Sequence, residues 1–445
     1  MASRISSTAR FLVYALFFFS TFSMAAVGGV SMALYLLFFA ACFFFPDWRQ
    51  LKIPLIWPVL ALIGSAFISG LSADFSWEAV TPLREFWRFF LPFVVWKSFD
   101  GIKSDRLLKI FLFMLVLVSI YGIVQYFEGV DWFRGEGHKK ITPYAPDGLI
   151  TGVFHAKGNF SHHLTYAHYL LLAFPLFLSL GCRPLYSWPL RLGMIAGSFC
   201  MLGGLFLSLG RSAWLGALAA LAVLALQLPK KWLIALGIFI VIVGTAAVPF
   251  LNIGSSFNTY QQSIETPLKA RFDSMLTSRH HRDRFFLWES AGLAIRDHFW
   301  LGIGLNNDEQ IMPAYRKIVG EQYHHHTFLN KASAGVHNIY LQTWLNFGLI
   351  GLLCYFWFWG TVLKWNFFWI RAAKKQFPFE KALLWGMQAG FAGFMVGGVF
   401  ENSLRDGETQ TLLFALIGWS LHLGKHIEKS PANSSLKNKD SLVPA

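Results

Sequence analysis

Charge is scarce in this chain, at 14% Asp, Glu, Lys and Arg in 445 residues, and cysteine is scarcer still, with four residues. Cys42, Cys182, Cys200 and Cys354 stand far apart without metal-ligand spacing, so they exclude a disulfide framework or a zinc module and read as small hydrophobes. Also missing are a G-x-x-x-x-G-K-[ST] phosphate loop, a serine nucleophile elbow and the paired carboxylates of a glycosidase. Nucleotide-driven chemistry is thereby disfavoured, and no cofactor is expected. What is abundant is apolar: 55% hydrophobic and 17% aromatic residues.

Runs of about 20 apolar residues, the length that crosses a hydrocarbon core, recur throughout. They predict an all-α polytopic membrane protein of about twelve spans: 11–27, 30–45, 54–71, 86–97, 108–127, 164–181, 192–210, 212–228, 232–250, 338–363, 382–400 and 410–424. The run after Arg4 and Arg10 is taken as the first span rather than a cleaved signal. The predicted organisation is spans one to nine over 1–250, with a loop near 128–163. A large insertion over 251–337 follows, then spans ten to twelve over 338–429 and a disordered tail over 430–445.

The net charge of +14 could suggest nucleic acid, but its distribution says otherwise. With both termini in the cytoplasm, the inner segments hold 21 of the 38 Lys and Arg and six of the 24 acids. The outer side keeps 38 less 21, or 17, bases and 24 less six, or 18, acids. The basic excess is cytoplasmic, as the positive-inside rule requires. Basicity therefore reports orientation in a membrane, with membrane lipids and no nucleic acid as partners. Both long loops then lie on the outer side.

Candidate chemistry lies in those loops and at the helix ends beside them. Arg211, within Ser208-Leu209-Gly210-Arg211-Ser212, stands between two apolar runs at the start of span eight, where a guanidinium and free helix N–H groups suit a phosphate. A snorkelling interfacial arginine fits the same position. Arg282 and Arg284 flank Asp283 ahead of Phe285 and Phe286; either could be an ordinary surface ion pair, or a cation facing the membrane plane. The stretch from Phe285 to Phe299 has helical propensity and could lie on the membrane face. Beyond it Gly302 and Gly304 break the helix, and a polar stretch from Asn306 reaches His324, His325 and His326. His337 and Asn338 open span ten: His337 is either a cap or a general base for a hydroxyl proton. His163 and His168, with His162, are further outer-side candidates for contact with sugar or phosphate. None of the histidines forms the i, i+4 pair of a helical zinc site, so no metal is expected.

Three stretches in combination resemble the bacterial O-antigen ligases, within the O-antigen ligase/polymerase membrane superfamily. They are Ser208 to Leu215, Arg284 to Gly304 with its Phe-Trp-Leu-Gly-Ile-Gly ending, and Val336 to Gly351. The resemblance implies glycan transfer from undecaprenyl diphosphate to the lipid A-core oligosaccharide at the periplasmic face, without metal or nucleotide, completing lipopolysaccharide. It implies catalytic roles for His337, Arg211 and Arg284, and leaves Arg282, Asn338, His163 and His168 as substrate-binding candidates. An O-antigen polymerase, a protein O-oligosaccharyltransferase or a transporter of the lipid-linked sugar are the alternatives. The one-faced placement of the charges weighs against transport.

Overall fold

The computed structural model describes residues 2–45, 48, 53, 55–73, 86–133, 140–143, 152–227, 282–321, 335–373 and 375–430. Expected span nine, 232–250, and most of the 251–337 insertion lie outside these residues, as do His138, His280, His281 and His324 to His326.

Thirteen α-helices account for the architecture among the described residues: α1 (Ala2–Phe19), α2 (Met24–Phe44), α3 (Ile56–Ala73), α4 (Leu91–Ser98), α5 (Ser104–Glu128), α6 (His163–Gly181), α7 (Trp188–Leu207), α8 (Arg211–Ala225), α9 (Arg282–Asp297), α10 (Asp308–Gly320), α11 (Ile339–Ala372), α12 (Pro378–Gly397) and α13 (Gly407–Lys429). Extended pairing among these residues is limited to the isolated bridges Val130 to Lys140 and Pro143 to Phe154. Five helices, α2, α5, α6, α7 and α11, are long and apolar enough to cross a membrane. The protein is thus an all-α polytopic membrane fold.

Helix α6 is the axis of the bundle. Nearly every residue from Thr165 to Gly181 is buried, which fits a sequence apolar on all faces. It packs against α7 and α12, and α12 packs in turn on α8. These contacts are close because glycine removes side chains from the interface. A Cβ on Gly216 of α8 would stand 2.6 Å from the Gly393 carbonyl oxygen, and one on Gly390 would stand 2.9 Å from the Leu172 oxygen. Of the cysteines, Cys42 and Cys354 are half-buried and pack against the hydrophobic core, Cys200 is half-buried, and Cys182 is exposed.

The two ends of the bundle differ. Lys103, Arg106, Lys109, Arg183, Arg191, Lys381, Lys425 and Lys429 flank helix termini at one end, where Tyr186 donates to Asp105 and Trp369 donates to Glu428. At the other end the helices α6, α8, α11 and α13 begin, and here the loops interlock. Thr165 donates to Asp406 (2.8 Å), the Ile339 N–H donates to the Gly398 oxygen (2.8 Å), and His155 approaches the Ser208 oxygen (3.2 Å).

Two findings differ from expectation. The apolar face of α9 is turned into the protein rather than onto a membrane. Phe286, Leu287, Ala291, Ala294 and Ile295 are buried against residues of α10 and α11, while Phe285 and, past the helix end, Phe299 are exposed. The polar stretch after Asn306 forms a helix, α10, that buries Asp308, Met312, Arg316 and Val319 at helical spacing.

The Phe-Trp-Leu-Gly-Ile-Gly stretch docks on the start of α11. Ile303 and Gly304 donate N–H groups to the Leu345 and Asn346 oxygens at 2.8 and 3.0 Å, and Leu349 donates to the Phe299 oxygen at 2.9 Å. Gly302 and Gly348, both at left-handed φ, make the approach possible: a Cβ on Gly348 would overlap the Trp300 carbonyl.

Candidate functional site

His337 stands just ahead of α11, whose N-cap is Asn338. The Asn338 side-chain oxygen accepts the Tyr340 and Leu341 N–H groups, both at 2.9 Å, so it is committed to capping. His337 itself has φ 51°, a left-handed conformation uncommon outside glycine and costing about 1–3 kcal/mol. Its neighbours hold it there. Val336 donates its N–H to Gln342 (3.1 Å), accepts Trp288 Nε1 on its carbonyl (3.1 Å), and Ile339 is bonded to Gly398.

This geometry presents His337 Nδ1 to Glu401, at 3.1 and 3.3 Å from the two carboxylate oxygens. A carboxylate accepts, so Nδ1 carries the proton and the Nε2 lone pair is left for another. Glu401 is 8% exposed, and it also accepts the Asn402 N–H at 3.1 Å. Burial alone would raise its pKa. The hydrogen bond from His337 and the nearby His337, His168 and Arg284 outweigh burial and hold the carboxyl below the usual range. Sequence reasoning did not single out Glu401. The only signal is an acid in the short connector between α12 and α13, a segment that runs beside the start of α11.

Arg284, in the first turn of α9, places its guanidinium 5.8 Å from the Phe400 ring centroid, next to Glu401 in the chain. Trp288, one turn later, packs on the same ring at 5.9 Å. Arg282 is the first residue of α9, and its side chain lies outside the described set.

Arg211 is the first residue of α8, behind the cap residue Gly210. The first turn of α8 adjoins the same connector, since a Cβ on Gly397 would meet the Ser212 oxygen at 3.2 Å and His168 Nε2 at 2.9 Å. His168 is fully buried, its Nδ1 2.9 Å from the Leu164 oxygen and its Nε2 without a hydrogen-bond partner. It underlies the site and feels both Glu401 and Arg284. His163 is half-buried, with its ring 4.2 Å from that of His155 and 4.1 Å from that of His162. His155 in turn reaches the Ser208 carbonyl, and His162 lies within electrostatic range of Glu401 and His337. The segment carrying these imidazoles is fastened by Lys157, paired with buried Asp131 at 3.3 Å, and by Gln125, which donates to the Gly158 oxygen.

The structure therefore gathers His337, Glu401, Arg284, His168, His162, His163 and the start of α8 at one end of the bundle, from five segments distant in sequence. Two guanidinium-bearing residues and several helix N-termini suit an anion such as a diphosphate. The His337–Glu401 pair suits removal of a proton. No group of three metal-ligating side chains is found among the described residues.

Residues 196–356 match the family model described as O-Antigen ligase. That segment includes Arg211, Arg284 and His337; His163, His168 and Glu401 fall outside it. No curated protein matches the chain. Among solved structures, a chain from a structure described as "Structural coordination of polymerization and crosslinking by a peptidoglycan synthase complex" aligns over 84% of this chain and 98% of its own, with 16% identity and a TM-score of 0.39. A likeness at that TM-score carries no argument about fold or activity.

Proposed function

From the family match, which supports a member of the O-antigen ligase superfamily, we propose that this protein transfers glycan from undecaprenyl diphosphate to the lipid A-core oligosaccharide. The transfer takes place at the periplasmic face of the bacterial inner membrane, with both termini in the cytoplasm. The observation that carries the proposal is the Glu401-held imidazole of His337 beside Arg284 and the N-terminus of α8.

In this reading Arg211 and Arg284 bind the donor diphosphate and offset the charge that grows as the bond between the anomeric carbon and the phosphate oxygen breaks. His337 Nε2 takes the proton of the acceptor hydroxyl, whose oxygen forms the new bond to the anomeric carbon, with inversion. Glu401 fixes the ring and stabilises the imidazolium. The reaction needs no metal or nucleotide. In the same reading His163 and Arg282 contact the substrate, His168 supports the site from beneath, and Asn338 serves as the cap that fixes its neighbour.

Loss of the base or of one phosphate clamp costs about a hundredfold or more in rate. His337→Ala and Arg211→Ala are therefore expected to insert and fold normally yet leave cell-surface lipopolysaccharide without long glycan. Wild-type glycan ladders in either variant would refute the assignment. Purified protein given lipid-linked glycan, with and without lipid A-core, separates ligation from polymerisation by which acceptor is elongated.

A further inference from the structure

A second polar cavity, of about 120 Å³, lies beside the reaction centre between α3, α11, the start of α13 and residues 86–90. One wall is polar: Asp308, Gln342, Asn346, Asn402 and Arg405. The lining also holds the aromatic rings of Phe86, Phe89, Phe347 and Tyr355. Phe86 is stacked on Phe89 with ring centroids 5.2 Å apart, and Phe347 meets Phe86 edge-on at 5.8 Å.

Its polar side is built rather than incidental. Gln342 Nε2 donates to Asp308 Oδ2 and to Asn346 Oδ1, both at 2.9 Å, while Gln342 Oε1 accepts the N–H of Val336. Asp308 is 8% exposed, and its other oxygen, Oδ1, has no hydrogen-bond partner. A buried carboxylate oxygen left unmatched is costly unless something donates to it. The cavity is also tied to the site at both ends: Val336 precedes His337, and Asn402 follows Glu401.

We propose, on the basis of the glycosyl transfer proposed above, that this cavity holds one neutral sugar ring of the reacting glycan. Its lining of amides, a carboxyl and aromatic rings suits a small hydroxylated ligand. Amide side chains offer donors and acceptors together, as hydroxyl groups require, and aromatic rings suit the C–H side of a sugar ring. A buried acid at its centre disfavours a phosphate. Asp308 Oδ1 accepts a sugar hydroxyl in this arrangement.

The test is saturation-transfer NMR on the full chain in lipid nanodiscs with free glucose, galactose, N-acetylglucosamine and N-acetylgalactosamine. Asp308→Asn exchanges the open acceptor for a donor at constant volume, and Asn402→Ala removes an amide by a separate route; size-exclusion profiles check that both are folded. At least one sugar is expected to bind, with affinity lowered about tenfold or more in both variants. The proposal is overturned if none of the four sugars binds, or if both variants bind as the parent does. Because binding is read without turnover, a protein that binds sugar but transfers nothing sinks the proposed activity alone. In transfer assays, a KM raised in these variants for the lipid-linked donor marks the ring as the donor's, and one raised for the acceptor saccharide marks it as the acceptor's.

Discussion

The middle of the α6–α8–α12 bundle and its α8 end are made from the same helices, yet they obey different rules. In the middle, Gly216 and Gly393 set two backbones in direct contact, and Gly386 and Gly390 do the same against α6. Polar groups there are few. One turn beyond, at the end, α6 and α8 leave His168 Nε2 and Ser212 Oγ without partners, and His168, His337 ahead of α11 and Arg284 of α9 surround buried Glu401. Close packing supplies rigidity, and unsatisfied polarity is concentrated where that rigidity can hold it. A left-handed His337 is affordable because α6, α8 and α12 do not yield.

Breaking the middle is expected to have the largest effect. Gly216→Leu drives a side chain into the Gly393 carbonyl, and overpacking of this kind costs about 1–3 kcal/mol or more. The expected outcome is loss of monodisperse protein on size exclusion after detergent extraction. A normal profile would mean that the helices can separate at no cost.

Breaking the end should spare the fold and remove the chemistry. Glu401→Gln keeps the volume and the Asn402 contact but cannot hold the Nδ1 proton as an anion does, so turnover is expected to fall about tenfold or more with KM for the donor little changed. Equal loss of binding and turnover would instead give Glu401 a role in holding substrate.

The end also contains an internal contrast that pH can sharpen. Glu401 and Asp406 lie in one short connector, and their carboxyl groups are displaced in opposite directions. Glu401 is held low by the hydrogen bond from His337 and by the nearby His337, His168 and Arg284, against its burial. Asp406 is pushed up to about 7, first by burial and then by the Glu401 and Glu408 charges, against the hydrogen bond from Thr165 and the Arg405 charge. The signs follow by linkage. Ionised Glu401 contributes stability above the ordinary carboxylate pKa, and that contribution is lost as pH falls through its depressed value. For Asp406 the folded form binds a proton more tightly than the unfolded chain, so stability falls as pH rises from about 4 to about 7. Asp406→Asn is accordingly expected to melt higher than the parent at pH 8, by on the order of 1 kcal/mol. Glu401→Gln should melt lower at pH 8. Both differences should shrink in acid. Thermal melts of the two variants at pH 4 and pH 8 check this, and parallel behaviour of the pair would mean that the connector is open to solvent.

Much of the bundle is legible in the sequence, because an apolar run of sufficient length has few alternatives in a membrane. The spans at 30–45, 108–127, 164–181 and 192–210 correspond to α2, α5, α6 and α7 within a few residues. Arg211 and His337 stand at helix starts because the apolar runs begin there. Glu401 was not legible: a connector residue becomes a partner of His337 only through the Ile339–Gly398 bond, which joins segments about 60 residues apart in sequence. α10 escaped for a related reason. Its buried face contains Asp308 and Arg316, so its periodicity does not register as hydrophobic. The docking of 299–304 on the start of α11 is likewise invisible to periodicity, although both stretches stood out as motifs.

That docking divides α11. Gly348 interrupts its helical geometry at φ 67°, ψ −172°, with the 299–304 loop strapped across the break. The imidazole is thus mounted on a strut of about ten residues clamped from the side, and not on the tip of an unbroken 34-residue rod. A tilt of the lower shaft with bilayer thickness would be taken up at this joint and would leave the orientation of the His337 ring unchanged.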